Sequence, residues 1–377
     1  MIRRIVFTGG GTGGHIYPLL AVLEEVIKKS SDDILVYYIG PKNDSVFNMV
    51  RKYHVRPYPV ISSKLRRYVS PLTILDIPKF FFSLVQMLWR MYLLMPDVVF
   101  SKGGPGSFPV IFAAWFYMIP VIIHESDSVP SLNAKLSKFF AKRIAISFEH
   151  AAQYFPEKKI ALTGNPVRSS LVRDIPKKEA AREYFGFNIN NPLLVILGGS
   201  QGATPINEFI FSHLKELLLK YQLFHQVGEV NEDEALSAIG SVLQGESDQT
   251  KKRYQYAGFL NEMMMKKILA AADIVISRAG SSAIYEIAAF GKPSILVPLP
   301  RSAGNHQLVN AYEYEKSGST VVIEETNLTL NLLTQEIDSI LENPERIKEM
   351  GERGRAFFKP DASELIADEI LKLSKAV

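Results

Sequence analysis

Three glycine-rich turns carry the chemistry legible in this chain. GGGTGGHIYP spans residues 9–18, LGGSQGATPIN spans 197–207, and SRAGSSAIYEIAAFGKP spans 277–293. Each follows an apolar run (IRRIVFT, PLLVI, IVIS) and so reads as a buried strand passing into the start of a helix. The first amides of a helix have no partner within it, and together with the helix dipole they make an anion site. In the third turn Gly280, Ser281 and Ser282 place amides and hydroxyls at such a start. Glu286 follows one turn later, where a carboxylate can accept both hydroxyls of a ribose. The design is a diphosphate site without lysine or metal.

Other nucleotide sites fit less well. Gly9, Gly11 and Gly14 satisfy G-x-G-x-x-G, but a dinucleotide site also needs an acid about 20 residues on for the ribose. Here the second strand ends YYIGPKND, with Gly40 at its tip and Asp44 only later. No Lys-Ser/Thr pair follows the first turn, so a P-loop is excluded. His15 stands at a helix start, where the dipole disfavours protonation. A neutral imidazole there can accept a proton or orient a hydroxyl. His124 and Glu125 end another strand in HESDSVPSLNAKLSK, but no third ligand stands at metal-binding spacing, so no metal and no other cofactor is expected. His306 and Gln307 open the segment after a later strand, where an imidazole and an amide can read sugar hydroxyls.

The elements that must position these residues alternate in type. Short apolar runs IVFT, ILVYYIG, DVVFSKG, VIIHES, RIAISF and IALTGN precede TGNPVR at 163–168. LLVILGG, LFHQVG, YQYAGF, IVISRAG, SILVPLP and TVVIEE follow it. Such runs read as parallel strands covered on both faces, with helices as crossovers. Six on each side predict an α/β protein of two doubly wound, Rossmann-like domains, residues 1–165 and 166–361, facing a central cleft. In open parallel sheets ligands bind at the carboxyl ends of strands, which is where GGGTGGH, SKGGPGS, HESDS, TGNPVR, GGSQGA, SRAGSS and PLPRSAGNHQ fall.

Bulk properties narrow the class further. The chain has 377 residues, 47% hydrophobic and 22% charged, so a full core is available. The absence of cysteine excludes disulfides and thiolate metal sites. The start, MIRRIVFTGG, enters a strand at once and leaves no room for a signal peptide. Net charge of +4 is too mild to imply nucleic acid. Its distribution says more: residues 45–75 contain no acid, while Arg51, Lys52, Arg56, Lys64, Arg66 and Arg67 are basic. Next comes IPKFFFSLVQMLWRMYLLM at 77–95, with one helical stripe of Phe80, Leu84, Leu88 and Tyr92. Phe81, Phe82, Trp89 and Leu93 fall on other faces, so the helix is either buried all round or touches something apolar outside. Basic charge beside aromatics favours an anionic membrane surface, contacted through Lys64, Arg66, Arg67, Phe81, Phe82 and Trp89.

In order along nearly the whole chain, GGGTGGH, KGGPGSFP, HESD, GNPVR, GGSQGA, HQVG, GFLNEM, RAGSSAIYEIAAFGKP and NHQLVNA resemble the MurG family, the membrane-associated N-acetylglucosaminyltransferases of peptidoglycan synthesis. The resemblance implies a GT-B fold, an N-terminal domain for the lipid acceptor, a C-terminal domain for UDP-N-acetylglucosamine, and a last helix near 362–376 crossing back onto the first domain. It implies an inverting transfer to the C4 hydroxyl of a muramyl-pentapeptide on polyprenyl diphosphate, at the cytoplasmic face of the bacterial plasma membrane. Carried over by position, Thr12, Gly13 and Gly14 lie beside the donor diphosphate and sugar. Arg168 and Ser200 contact diphosphate or ribose, and Leu260 meets the uracil. Gly280, Ser281, Ser282, Ala283, Ile284 and Tyr285 hold phosphates through backbone amides, Glu286 the ribose, and His306 and Gln307 the sugar. On the acceptor side stand His15, Gly103, Gly104, Gly106 and His124. His15 is the candidate base, with Glu125 and Asp127 able to do the same. Two departures stand out: Asp127 where the family often has asparagine, which places a carboxylate against the donor sugar, and Ala283 where threonine is frequent. A UDP-sugar epimerase shares this architecture but needs no lipid-facing patch. A non-catalytic membrane scaffold would be expected to lose His15, Arg168 and Glu286, and all three are present.

Overall fold

The computed structural model describes residues 2–10, 13–30, 34–61, 71–199 and 202–375. The chain divides into two units, one built from residues up to Arg168 together with those from Lys359 onward, the other from Ser169–Phe358. Each is an open parallel sheet with helical crossovers.

In the first unit the strands are β1 (Arg3–Thr8), β2 (Ile34–Pro41), β3 (Arg56–Val60), β4 (Val98–Ser101), β5 (Val121–Glu125), β6 (Arg143–Ile146) and β7 (Ile160–Leu162). They lie in the order β3-β2-β1-β4-β5-β6-β7. The sequence pattern gave six strands here, and β3 is the addition. Its sequence, RPYPV, reads as a turn because proline cannot donate to a ladder. β3 is the sheet's edge and pairs only with β2, so the open side needs no donor from Pro57 or Pro59. The other unit holds β8 (Leu193–Leu197), β9 (Gln222–Gln226), β10 (Tyr254–Ala257), β11 (Ile274–Ser277), β12 (Ser294–Leu296) and β13 (Thr320–Val322), in the order β10-β9-β8-β11-β12-β13.

The strand orders explain where the glycine turns sit. β1 lies between β2 and β4, and β8 between β9 and β11, so chain direction across each sheet reverses there. The loops leaving β1 and β4, and those leaving β8 and β11, open the crevice that such a switch point creates. β4, β5, β8, β9 and β11 are buried at every residue, as strands covered on both faces must be.

Helix Ala362–Leu373 belongs to the first unit. Its Ile366, Ala367, Ile370 and Leu373 share a core with Leu19, Leu23 and Val26 of helix Gly13–Lys29. Lys29 pairs with Glu364 at 2.8 Å and Asp368 at 2.6 Å along the seam.

Helix Pro71–Leu94 resolves the alternatives left open by its sequence. Its buried seam is Ser83, Met87 and Met91, so the expected stripe through Tyr92 is displaced: Tyr92 is exposed. Phe81, Phe82 and Trp89 are 62%, 68% and 64% exposed, so the helix is not buried all round. Trp115, Phe116, Met118 and Phe139 of the same unit are exposed too. Lys64, Arg66 and Arg67 lie outside the described residues. Among the described residues no helix is long and apolar enough to cross a membrane.

Candidate functional site

In the first unit, the loops after β1 and β4 touch backbone to backbone. A Cβ on Gly104 would lie 2.7 Å from Gly10 Cα, and φ at Gly104 is +92°. Only glycine fits on both counts. The imidazole of His15, in the first turn of helix Gly13–Lys29, packs over this contact. Cβ atoms on Gly10 and Gly104 would come within 3.3 and 3.4 Å of its ring. Gly13 and Gly14 open the helix; Thr12 lies outside the described residues. Gly106, at φ +83°, caps helix Ser107–Phe116. Burial, then the neighbouring Lys102 ammonium, lower the His15 pKa to about 4, against the opposing pull of Asp127. His15 is therefore neutral at physiological pH, as a proton acceptor must be.

The loop after β5 supplies the acids. Glu125 is buried and its carboxylate accepts from the amides of Asp127 (3.1 Å) and Ser131 (3.3 Å). Burial and the Asp127 charge raise its pKa to about 7. Both oxygens thus shape their own loop. His124 is buried, its Nε2 3.1 Å from the Gly164 carbonyl and 3.3 Å from Ser147 Oγ. Burial, then Lys102, hold its pKa well below the usual range. It reads as a neutral strut tying β5 to the 163–168 loop. Arg168 lies at the end of that loop with its guanidinium 4.2 Å from the ring centre of Tyr17.

His15, Glu125 and Asp127 line one pocket of about 50 Å³ together with Lys102, Ser131 and Asn133. The sequence reading missed Lys102. Its ammonium is buried and donates to Ser126 Oγ, while its backbone amide donates to the Thr8 carbonyl at 2.9 Å. The available signal was a lysine directly after the short, largely apolar run VVFS.

In the second unit, Gly280 is the N-cap of helix Ser281–Phe290, with nothing within 4 Å of where its Cβ would stand. The amide of Ile284 donates to the Gly280 carbonyl at 3.1 Å, so the uncommitted amides end at Ala283. This narrows the expected phosphate set. Ile284 and Tyr285 belong to the core, Tyr285 against Phe357 with ring centres 5.2 Å apart. Ser281 Oγ is buried without a hydrogen-bond partner at this helix start. Glu286 is half-buried one turn on.

Three further loops of this unit carry candidate residues. After β8, a Cβ on Gly202 would lie 2.5 Å from the Val227 carbonyl, and φ is +76°; Ser200 lies outside the described residues. Leu260, after β10, is buried beside Asn261, whose side chain caps helix Glu262–Ala271. His306 and Gln307 begin helix His306–Glu315, and Gln307 Oε1 accepts from the Leu299 amide at 3.0 Å. Arg278, also missed from sequence, ties the loop after β11 to those after β12 and β13: its Nη1 donates to the Val297 carbonyl at 3.1 Å and its Nη2 pairs with Glu325 at 2.5 Å.

Two parallel-sheet α/β domains of this topology are those of the GT-B fold, and the family matches make the chain a glycosyltransferase. The sequence profiles of the glycosyltransferase family 28 N-terminal and C-terminal domains match residues 5–146 and 193–366. The chain is 35% identical over 376 residues, covering 100% of both chains, to UDP-N-acetylglucosamine–N-acetylmuramyl-(pentapeptide) pyrophosphoryl-undecaprenol N-acetylglucosamine transferase 2 of Bacillus cereus. It belongs to that family, the MurG family. The crystal structure of Acinetobacter baumannii MurG superposes with a TM-score of 0.73 at 24% identity, over 98% of this chain and 99% of the other. UDP-GlcNAc 2-epimerase of Neisseria meningitidis, solved with UDP-GlcNAc, gives 0.68 at 15% identity over 98% and 100%.

Proposed function

We propose that the protein transfers N-acetylglucosamine from UDP to the C4 hydroxyl of a muramyl-pentapeptide carried on a polyprenyl diphosphate, forming a β-1,4 bond. The observation that carries this reading is the full-length match to a relative named for that transfer. The fold alone does not, because an epimerase shares it.

The donor is assigned to the second unit. Amides of Ser281, Ser282 and Ala283, with the orphan hydroxyl of Ser281, suit the diphosphate. Glu286 takes the ribose, Leu260 the uracil, and His306 and Gln307 the sugar. Arg168, Ser200, Thr12, Gly13, Gly14 and Asp127 complete the proposed donor contacts. In the first unit Gly103, Gly104, Gly106 and His124 frame the acceptor, and neutral His15 takes the C4 proton as oxygen attacks the anomeric carbon. The bond to UDP breaks on the opposite face, so configuration inverts, and the leaving diphosphate carries the negative charge. Fixed amides stabilise that charge without reorganising, usually the largest contribution of such a site. No metal is required.

Exposed Phe81, Phe82 and Trp89 favour a lipid-borne acceptor over epimerisation, which has no use for an apolar face. The protein would attach peripherally to anionic lipid on the cytoplasmic leaflet. The deciding experiment incubates the enzyme with UDP-N-acetylglucosamine, with and without polyprenyl-diphosphate-linked muramyl-pentapeptide. Disaccharide-lipid supports the proposal; a 2-epimer of the donor formed without acceptor refutes it.

A further inference from the structure

Lys102 is a charged side chain of the first unit whose burial the reaction chemistry so far leaves unexplained. It is 2% exposed. Taking an ammonium out of water costs several kcal/mol unless neighbouring charges and hydrogen bonds compensate it. Packing therefore gives no reason for a lysine. Its surroundings do. The backbone of Lys102 is bonded to the end of β1, its ammonium to Ser126 in the acidic loop, and its side chain lines the pocket shared by His15, Glu125 and Asp127.

We propose that Lys102 is a positioning residue for the transfer: its buried ammonium, anchored on Ser126, holds the acidic loop in place beside the His15 imidazole that accepts the acceptor proton. The assignment rests on the transferase reading above. The charged and titratable groups facing the pocket are His15 from the first helix, Lys102 after β4, and His124, Glu125 and Asp127 from β5 and its loop. Lys102 opposes protonation of both histidines and favours ionised Glu125. Burial, only partly offset by Glu125 and Asp127, lowers its own pKa to about 8. The sign follows directly. Removing the positive charge leaves burial alone to oppose Asp127, so the His15 pKa rises and its protonation limb moves to higher pH. Above about pH 8 the wild type itself begins to lose that charge.

The test compares full-length wild type with Lys102→Met, Lys102→Gln and Lys102→Arg. Gln retains a donor for Ser126 without the charge; Arg retains a charge that does not titrate. Histidine ring NMR, with His15 assigned by His15→Gln, should show its protonation midpoint raised by about one pH unit in the Met and Gln variants and unchanged in Arg. The acid limb of kcat should move up in step, and since His15 stays neutral near pH 7, the roughly tenfold loss of kcat expected there comes from release of the acidic loop. Melting temperature should fall in the Met and Gln variants, because Glu125 and Asp127 lose their compensating charge, so the shifted His15 midpoint, which a merely structural lysine would not produce, is the deciding readout. Arg should abolish the alkaline limb of kcat while leaving the acid limb in place. An unshifted His15 midpoint in folded Met or Gln variants overturns the proposal. If neither neutral variant folds, an alkaline limb persisting in Lys102→Arg overturns it. Absence of transfer by the wild type would sink the transferase reading, while the histidine titration still decides the electrostatic role.

Discussion

Substituting alanine at Gly104 tests whether the contact between the first two glycine loops seats the base. The new Cβ would sit 2.7 Å from Gly10 Cα and 2.8 Å from Gly10 N, atoms of rigid backbone, at a φ of +92°. Two costs add. A left-handed conformation at a non-glycine residue costs roughly 1 kcal/mol. Forcing a methyl against backbone costs about 2 kcal/mol more, within the usual range for overpacking. Gly103→Ala is the matched control, with φ +76° but nothing within 4 Å of its Cβ, so it bears the strain without the collision. At about 3 °C per kcal/mol for a unit of this size, calorimetry should show Gly103→Ala melting about 3 °C lower and Gly104→Ala about 9 °C lower. Because the collision pushes apart the loops that hold His15, kcat in Gly104→Ala should fall about a hundredfold, the usual consequence of a 1 Å misplacement. Its affinity for UDP should fall less than kcat does, since the proposed uracil and ribose contacts, Leu260 and Glu286, lie in the second unit. Equal losses of stability and kcat in the two variants would refute the reasoning.

Glu286→Ala should raise the donor KM ten- to hundredfold, the equivalent of about 1.5–3 kcal/mol for a charge-assisted hydrogen bond, while sparing acceptor KM. If a 2′,3′-dideoxyribose donor analogue weakens wild type and mutant equally, the ribose role is wrong. Chelators should leave turnover intact; loss in EDTA restored by one divalent ion would overturn that. Phe82→Glu with Trp89→Glu, or charge reversal at Lys64, Arg66 and Arg67, should abolish sedimentation with anionic vesicles at moderate salt, each basic residue contributing about 1 kcal/mol; unchanged sedimentation would assign docking to another face. His225 is buried, with Nε2 3.0 Å from Asn207 Oδ1 and Nδ1 3.1 Å from the Tyr254 hydroxyl, and burial lowers its pKa to about 3 from 6.5. The unfolded chain gains a proton below pH 6.5 that the folded protein refuses until about 3, so stability from this residue is lost as pH falls through that window, by up to about 1.4 kcal/mol per unit. His225→Gln should flatten the melting temperature between pH 6.5 and 5; an unchanged slope would assign the acid sensitivity to other groups.

Much was legible before any coordinates, for an identifiable reason. Strands buried on both faces announce themselves as short apolar runs, and twelve of the thirteen strands read that way. Glycine turns at strand ends announce anion sites because only backbone can approach so closely. β3 was hidden because its prolines are permitted only at an edge, and edge position is a property of the sheet. The buried seam of helix Pro71–Leu94 was displaced because apolar residues occur all round it, so periodicity could not choose the face that packs.

Sequence by itself determined the element types, the doubly wound class, and which loops carry chemistry, since each depends on local pattern. Tertiary structure alone decided how that chemistry is tuned. It showed that Ile284 closes the run of uncommitted amides, because that is set by the first hydrogen bond of the helix. It turned both oxygens of Glu125 onto neighbouring amides and brought Lys102, from a different loop, into the pocket of His15. Charge and burial act through space between residues far apart in the chain, and spacing along the sequence does not encode them.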